Sequence, residues 1–167
     1  MSIRLPQSFY LEDALSVAPR LLGKTLVRRL GDDYIRCKIV EVEAYIGPDD
    51  KGAHVYQNKR TPRTEALFLP GGHTYVYLIY GMYHCLNIVT GFQDKPQGLL
   101  LRAVEPLDDL SFSLIKQNRD IRSKKLPDLT NGPGKLCKAL KIDTTLNQYN
   151  VVTGEALFLE DGDTSPL

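Results

Sequence analysis

The run IVEVEAY, which ends at Tyr45, carries two carboxylates and a tyrosine at every second position. Alternate side chains of a β-strand point to the same face of a sheet, so Glu41, Glu43 and Tyr45 are predicted to share one face. The intervening Val40 and Val42 would then lie on the other face. A carboxylate beside an aromatic wall is a candidate general base. Plain solvent-facing alternation gives the same pattern, and both interpretations stay open at this point.

Aromatic and β-branched residues dominate the segment Thr74–Val89. The interruption at Gly81 predicts two strands joined by a tight turn near residues 80–83. Ordinary packing within a sheet is the usual role of such tyrosines. A bulky Tyr80 beside Met82 at a hairpin tip would lose that packing, however, and wedging into a stack of bases would explain its presence there.

Basic residues are concentrated in the middle of the chain, although the net charge is only +1. Residues 112–141 hold eight Lys and Arg against two Asp, whereas the last 26 residues hold five Asp and Glu and no Lys or Arg. This polarity predicts one basic face and one acidic face. A solvated helix and loop is the alternative.

Two further segments are suited to binding phosphate. Asn131–Leu140 has the sequence of a Gly/Pro loop that runs into a helix, and free N–H groups at such a junction suit an anion. Gly134 and Lys135 lie at this junction. Arg60 and Arg63 form a second basic cluster in an irregular segment.

Several classes of protein are excluded by length and motif. A chain of 167 residues suits one domain, and its most apolar stretch, Thr74–Tyr80, is too short to span a membrane. The run from Gly132 to Lys135 lacks the spacing of a nucleotide-binding P-loop. The histidines show no helical i, i+4 pair and the three cysteines no CxxC, so we expect no metal site and no disulfide framework. The first residues lack the uninterrupted apolar run that is typical of a secretion signal, so we expect an intracellular protein.

Hydrophobic periodicity predicts an α+β fold, with one domain over residues 1–167 and helices around an antiparallel sheet. Helical spacing of apolar residues predicts helices over Glu12–Leu22 and Leu107–Lys116. Alternation predicts the strands Thr25–Leu30, Tyr34–Tyr45, two within Thr74–Val89, Gly98–Val104 and a final strand or hairpin over Tyr149–Glu160.

Together these features match what an enzyme needs to flip a base out of duplex DNA. Such an enzyme fills the gap in the stack, holds the extruded base between aromatic side chains, binds the phosphates and activates a nucleophile. Each feature is common alone, and their coincidence favours the hypothesis.

Six ordered runs closely resemble the alkyladenine (3-methyladenine) DNA glycosylase family of monofunctional base-excision enzymes. The runs are LLGKTLVRRL, IVEVEAYIGPDDKGAH, RTPRTEALF, YVYLIYGMYHCLNIV, LLLRAVEPL and NGPGKLCKAL. The resemblance implies a curved antiparallel sheet flanked by helices, with a protruding β-hairpin that enters DNA.

The resemblance also implies catalytic and DNA-entering residues. Glu43 matches the base that polarises the attacking water, and Arg102 matches an arginine that positions this water and the nucleotide's phosphate. Tyr80 matches the intercalating residue at the hairpin tip, flanked by Met82 and Tyr83.

The base pocket follows from the same resemblance. Tyr45, His54 and Tyr77 match residues that wall the pocket and stack on the extruded base. Asn87 matches a gatekeeper that crowds the 2-amino group of guanine, which rejects the wrong base by a clash.

The implied reaction is excision of 3-methyladenine, 7-methylguanine, hypoxanthine and ethenoadenine from double-stranded DNA, by a monomer without a cofactor. Cationic methylpurines leave as neutral bases, and an electron-rich aromatic pocket favours the cation. The expected product is an abasic site without strand cleavage. The compartment would be the cytoplasm of a bacterium or the nucleus of a eukaryote.

Members of the family continue beyond the position at which this chain ends. We therefore expect the chain to lack the family's C-terminal segment, and a lesion-binding protein without turnover is the alternative function. A barrel of the deformylase or formyltransferase kind acting on a nucleotide is disfavoured, because it would leave Tyr80 unexplained.

Overall fold

The computed structural model describes residues 3–47, 50, 53, 57, 59–120, 125 and 129–162. Its strands are β1 (Thr25–Leu30), β2 (Asp33–Tyr45), β3 (Thr74–Ile79), β4 (Tyr83–Thr90), β5 (Gln97–Pro106) and β6 (Leu157–Glu160). Its helices are α1 (Gln7–Tyr10), α2 (Ala14–Leu21), α3 (Asp109–Arg119) and α4 (Pro133–Ala139), with 3₁₀ turns at Glu65–Phe68 and Thr144–Leu146. None of the helices in these ranges is long and apolar enough to cross a membrane.

The six strands form one sheet in the order β3-β4-β5-β2-β1-β6. Every neighbouring pair is antiparallel. The sheet curls into a half-barrel flanked by helices. The predicted α+β fold with a curved antiparallel sheet is therefore confirmed, as are the two predicted hairpins, β1–β2 and β3–β4.

Two helices begin later than their hydrophobic periodicity predicts, because an aspartate caps each of them. Asp13 accepts a hydrogen bond from the Ser16 amide at 2.9 Å at the start of α2. Asp108 does the same for the Ser111 amide at 2.7 Å at the start of α3. Each cap satisfies a free N–H of the first turn, so the helix begins immediately after the aspartate.

The two faces of the sheet carry different apolar clusters. The main core lies on the face covered by the helices and includes the fully buried strand residues Leu86, Ile88, Leu99 and Leu101. On the opposite face Tyr45 and Tyr77 pack against the buried Tyr75 and Val89. Since side chains alternate along a strand, β3 and β4 contribute to both clusters. The second face carries the aromatic residues predicted for the site.

A double register shift interrupts the pairing of β2 with β5. Between Ile39 and Val42 each strand has one residue outside the register, Val40 on β2 and Arg102 on β5. Bulges of this kind bend a strand and change the direction of its side chains. One of the two predicted catalytic residues therefore lies at an irregularity of the sheet.

The bulge overturns part of the predicted alternation along β2. Ile39 and Val42, three residues apart, both pack in the main core, although strict alternation assigns them to opposite faces, and Val40 and Glu41 between them line one surface cavity. Glu43 and Tyr45 share the other face, as their hydrogen bond shows.

The last strand is shorter than its sequence predicts, because β6 covers only Leu157–Glu160 and residues 149–156 are mostly turns. The Asn150 side chain accepts hydrogen bonds from the amides of Val152 and Thr153, at 2.8 and 3.3 Å. Such local side-chain bonds compete with strand pairing. The prediction of a strand or hairpin from Tyr149 was wrong for this reason.

Candidate active site

Glu43 lies on the second face of the sheet, and its two carboxylate oxygens are bound to different donors. Arg102 donates from Nη1 to Oε2 at 2.8 Å. Tyr45 donates its hydroxyl proton to Oε1 at 2.8 Å. The Glu43 and Arg102 side chains are 44% and 43% exposed, so the carboxylate is held in one orientation and is still open to solvent.

Strand pairing explains how these three side chains meet. Glu43 and Tyr45 are two residues apart on β2, and Glu43 is paired with Leu100, two residues from Arg102 on β5. Side chains at paired and diagonal positions of neighbouring strands lie on one face within reach of each other. The fold thus brings together both residues that were predicted to be catalytic.

Tyr45 keeps its proton throughout the neutral pH range. The pKa of Tyr45 is raised to about 12, chiefly by burial. The hydrogen bond to Glu43 and the negative charge of Glu43 raise this pKa further, whereas the positive charge of Arg102 lowers it. A neutral phenol donates, whereas a carboxylate only accepts. Tyr45 is therefore a permanent donor that orients the Glu43 carboxylate.

An aromatic wall stands beside Tyr45 in the same cluster. The rings of Tyr75 and Tyr77 have centroids 4.9 Å apart and planes tilted by 38°. The Arg63 guanidinium lies 5.3 Å from the Tyr77 centroid, within the range of a cation–π interaction. Burial raises the pKa of Tyr77, and the neighbouring Cys85 thiol adds to this. Arg63, predicted to bind phosphate, is thus in contact with the aromatic wall.

Asn87 lies on the same face and is 4% exposed. It is paired with Tyr75 on one side and Leu100 on the other. Its Nδ2 donates to the Tyr75 carbonyl oxygen at 3.1 Å. The amide is therefore fixed against the aromatic wall, in the part of the sheet where the pocket was predicted.

Tyr80 occupies the tip of the β3–β4 hairpin and is 88% exposed. Tyr80 and Gly81 have φ angles of 53° and 66°, as in the type I′ turns that favour Asn and Gly. The Met82 amide donates to the Ile79 carbonyl at 3.1 Å and closes the turn. A bulky aromatic in this backbone conformation is unusual, because its side chain crowds the backbone there.

The other two residues predicted to enter DNA differ from each other. Met82 is 65% exposed beside the tip. Tyr83 is 47% exposed, and its ring packs against Gly134 of α4. Lys135 follows on the same helix with an exposed side chain. The predicted phosphate-binding residues of α4 therefore lie beside the base of the hairpin tip.

Arg60 is engaged by carboxylates of its own chain. Its Nε and Nη2 donate to the two oxygens of Glu65 at 2.9 and 2.7 Å, and Nη1 donates to Asp94 at 3.1 Å. Its guanidinium also lies 4.6 Å from the Phe68 ring centroid. Contact with a phosphate would require Arg60 to exchange these partners.

His54 lies outside the described residues. Sequence reasoning missed Tyr75 and Cys85 as part of this face, although their two-residue spacing from Tyr77 and Asn87 was a usable signal. Within the described ranges no group of three or more His, Cys, Asp and Glu could hold a metal ion.

Comparison with known proteins identifies a family whose sequences resemble this chain. The sequence profile of the family described as methylpurine-DNA glycosylase matches residues 8–166. A relative from Natranaerobius thermophilus is 48% identical over 157 residues, covering 94% of this chain and 78% of the relative. A relative from Clostridioides difficile is 45% identical over 161 residues, covering 94% of this chain and 79% of the relative. A relative from Bacillus cereus is 52% identical over 151 residues, covering 89% of this chain and 73% of the relative. All three bear the name "Putative 3-methyladenine DNA glycosylase".

These matches show that the chain is a DNA-repair glycosylase, a hydrolase whose substrate is DNA. The chain belongs to the methylpurine-DNA glycosylase family.

Proposed function

We propose that the protein flips damaged purines out of double-stranded DNA and hydrolyses their N-glycosidic bond, leaving an abasic site in an intact strand. The substrates are 3-methyladenine, 7-methylguanine, hypoxanthine and ethenoadenine. The observation that carries the proposal is the Glu43 carboxylate, oriented by Arg102 and Tyr45 on a solvent-open sheet face beside an aromatic wall.

Glu43 acts as the general base in this proposal. Each of its oxygens accepts one hydrogen bond from the protein, and a carboxylate has further lone pairs for a water molecule. The water oxygen bonds to the anomeric carbon, a water proton passes to Glu43, and the electron pair of the broken N-glycosidic bond stays with the departing base. A cationic methylpurine then leaves as a neutral base, whereas a neutral base such as hypoxanthine takes up a proton as it leaves. General-base assistance of this kind is worth about 10² to 10⁴ in rate.

The aromatic side chains would hold the extruded base. Stacking on Tyr45, Tyr77 and His54 is worth roughly 1 to 3 kcal/mol per base and tolerates different rings. A positively charged methylpurine is favoured over an aromatic face. Asn87, fixed by its bond to the Tyr75 carbonyl, would disfavour unmodified guanine by crowding its 2-amino group. 7-Methylguanine carries the same group, and its positive charge, which weakens the glycosidic bond and favours an aromatic face, would offset the crowding.

The hairpin tip supports base flipping. Neither packing nor backbone preference accounts for Tyr80, which is 88% exposed at a positive φ. Filling the gap in the base stack offsets an unstacking cost of a few kcal/mol. A large aromatic that projects from the protein is suited to that task.

The test compares Glu43→Gln with Glu41→Gln on a duplex that carries one hypoxanthine or ethenoadenine. Glu41 is the matched control, because it is exposed on the same strand and lines a surface cavity that Glu43 does not line. We expect Glu43→Gln to lower single-turnover release of the free base by about 10²-fold or more. Glu41→Gln should keep the wild-type rate.

The outcomes separate the competing interpretations. Wild-type release from Glu43→Gln would refute Glu43 as the base. Lesion-dependent binding by the wild-type chain without release of free base would instead establish a binding protein without turnover. Strand cleavage without added alkali would refute the proposed abasic product.

A further inference from the structure

A groove of about 640 Å³ lies beside the hairpin tip, between the start of β4, the end of α3 and α4. We call it the basic groove, because four of its lining residues are cationic and one is a carboxylate. These residues are Arg119, Lys135, Lys138, Lys141 and Asp143.

We propose that the basic groove binds the phosphodiester backbone of duplex DNA on one side of the lesion, chiefly through Lys138 and Lys141. The inference rests on the proposed function, since it takes the duplex to be wedged open at Tyr80. It extends the DNA contact beyond the residues predicted from sequence, to lysines that follow Lys135 along the chain.

The lysines form a row whose spacing suits a nucleic-acid strand. Lys135, Lys138 and Lys141 recur every third residue and all three side chains are exposed. Lys135 and Lys138 lie about one turn apart on α4, about 4.5 Å along its axis, and Lys141 follows the end of the helix with a φ of 50°. All three line the basic groove, at a spacing comparable with neighbouring phosphates at roughly 3.4 Å of axis each. None of the ion pairs among the described residues uses any of the three.

Asp143, the carboxylate in the basic groove, is hydrogen-bonded within its own turn. Asp143 accepts hydrogen bonds from the Thr145 amide at 2.9 Å and from the Thr145 hydroxyl. Hydrogen bonds from the Thr145 hydroxyl and amide hold the pKa of Asp143 below its usual value. Asp143 therefore stays ionised and turned to Thr145, and one negative charge cannot offset four positive ones.

The end of the lysine row is held rigidly. Arg28 donates from Nε to the Leu140 carbonyl at 2.9 Å and from Nη2 to the Lys141 carbonyl at 3.1 Å. The backbone that carries Lys141 is thus tied to β1 across the sequence. A preformed row of charges binds a polyanion with a smaller ordering cost than a flexible one.

The basic groove is continuous with the proposed wedge and lies behind the base pocket. Met82 and Tyr83 of the hairpin form part of its wall, as does His84. Cys85, the next residue, is paired with Tyr77 on the pocket face, so His84 points to the opposite face of β4. A duplex that meets the tip would pass the pocket on one side of the hairpin and the basic groove on the other.

The test measures binding by fluorescence anisotropy with a labelled duplex that carries one ethenoadenine, over a range of salt concentrations. All proteins carry Glu43→Gln so that binding is recorded without turnover. We expect Lys138→Gln/Lys141→Gln to reduce the slope of log Kd against log salt by about 1.8, since each phosphate contact contributes roughly 0.9. Lys138→Arg/Lys141→Arg should retain the wild-type slope.

The matched control is Arg20→Gln/Lys24→Gln, which removes two cations that pair with Glu12 and Asp161 away from the basic groove. An equal loss of slope in this control, or an unchanged slope in the lysine variant, would overturn the proposal.

Duplexes shortened on one side of the lesion locate the contact. We expect the effect of the lysine variant to disappear when one flank is shortened and to persist when the other is. If the lysine variant has the same effect whichever flank is shortened, the one-sided placement of the contact is overturned. Failure of the proposed function would appear separately, as no release of free base by the wild-type chain, because the salt slope does not depend on turnover.

Discussion

The ring of Tyr83 lies directly against the α-carbon of Gly134. A side-chain carbon at position 134 would be only 2.8 Å from Tyr83 Cδ1 and 3.2 Å from its Cβ. The contact joins the first residue of β4 to the first turn of α4, and so links the hairpin that carries Tyr80 to the helix that carries Lys135. Gly134 is thus needed for close packing at this point.

Replacement of Gly134 by alanine should displace the hairpin from α4. We expect Gly134→Ala to lower the free energy of unfolding by about 1 to 3 kcal/mol, as overpacking does in other close contacts, and to weaken lesion binding as well. Thermal denaturation and anisotropy would measure the two effects. In a Tyr83→Ala background, Gly134→Ala should lower the free energy of unfolding much less. An equal loss of free energy in both backgrounds would contradict a direct clash between the two side chains.

Loss of Arg102 should free the carboxylate that it orients. Arg102→Gln removes the donor to Glu43 Oε2, and misplacement of a catalytic group can cost about 10²-fold in rate. Single-turnover excision at saturating enzyme isolates this effect from weaker DNA binding. Arg36→Gln is the matched control, since Arg36 pairs with Glu160 at 2.7 Å and is similarly exposed at 38%. Equal losses in the two variants would contradict a positioning role for Arg102.

The pKa of Tyr45 should change when Glu43 is replaced. The pKa of Tyr45 is raised to about 12, with burial as its main cause and the hydrogen bond and charge of Glu43 adding to it. Glu43→Gln should therefore move this pKa back towards 10, measured by NMR of labelled tyrosine rings. An unchanged Tyr45 pKa would contradict the bond between the two side chains.

The same shift has a consequence for stability at alkaline pH. Between about pH 10 and 12 the folded chain holds a proton at Tyr45 that the unfolded chain has lost, so the free energy of unfolding falls as pH rises through this window. Below pH 10 the contribution is complete. Tyr45→Phe should show a shallower alkaline decline than wild type in denaturant titrations at successive pH values, and a parallel decline would contradict the assignment.

Removal of the hairpin tyrosine should affect DNA capture and leave the fold intact. Tyr80→Ala removes an 88% exposed ring, and the unfilled gap in the base stack should weaken lesion binding by about 10- to 100-fold. The melting temperature should stay within a few degrees of wild type. Phe92→Ala, which removes another exposed aromatic (61%), should bind normally, and a similar loss in that variant would refute the wedge.

Local features of the site could be predicted from sequence because they depend on near neighbours. The tight turn at Gly81 and the shared face of Glu43 and Tyr45 both follow from patterns within a few residues. Predictions that assumed an uninterrupted pattern failed at Val40, where β2 bulges, and at Asn150, where a side chain closes a turn. In each case a local bond or register shift replaced the regular period.

Contacts between distant segments could not be predicted in this way. The bond between Glu43 and Arg102 joins residues 59 positions apart, and it depends on the register in which β2 pairs with β5. The position of Arg63 on the Tyr77 ring depends on how an irregular segment folds over the sheet. Neither contact has a spacing in the sequence that could reveal it.

The sequence by itself determined the alternation, turn chemistry and ordered motifs that indicate a curved sheet, a catalytic carboxylate and an aromatic hairpin tip. Only the tertiary structure decided where β2 bulges, that Tyr83 packs on Gly134, and that three lysines line one groove beside the hairpin tip. The physical reason is that periodicity records the direction of a side chain relative to its own strand or helix. Strand register, bulges and the docking of α4 are settled by packing between elements far apart in the chain.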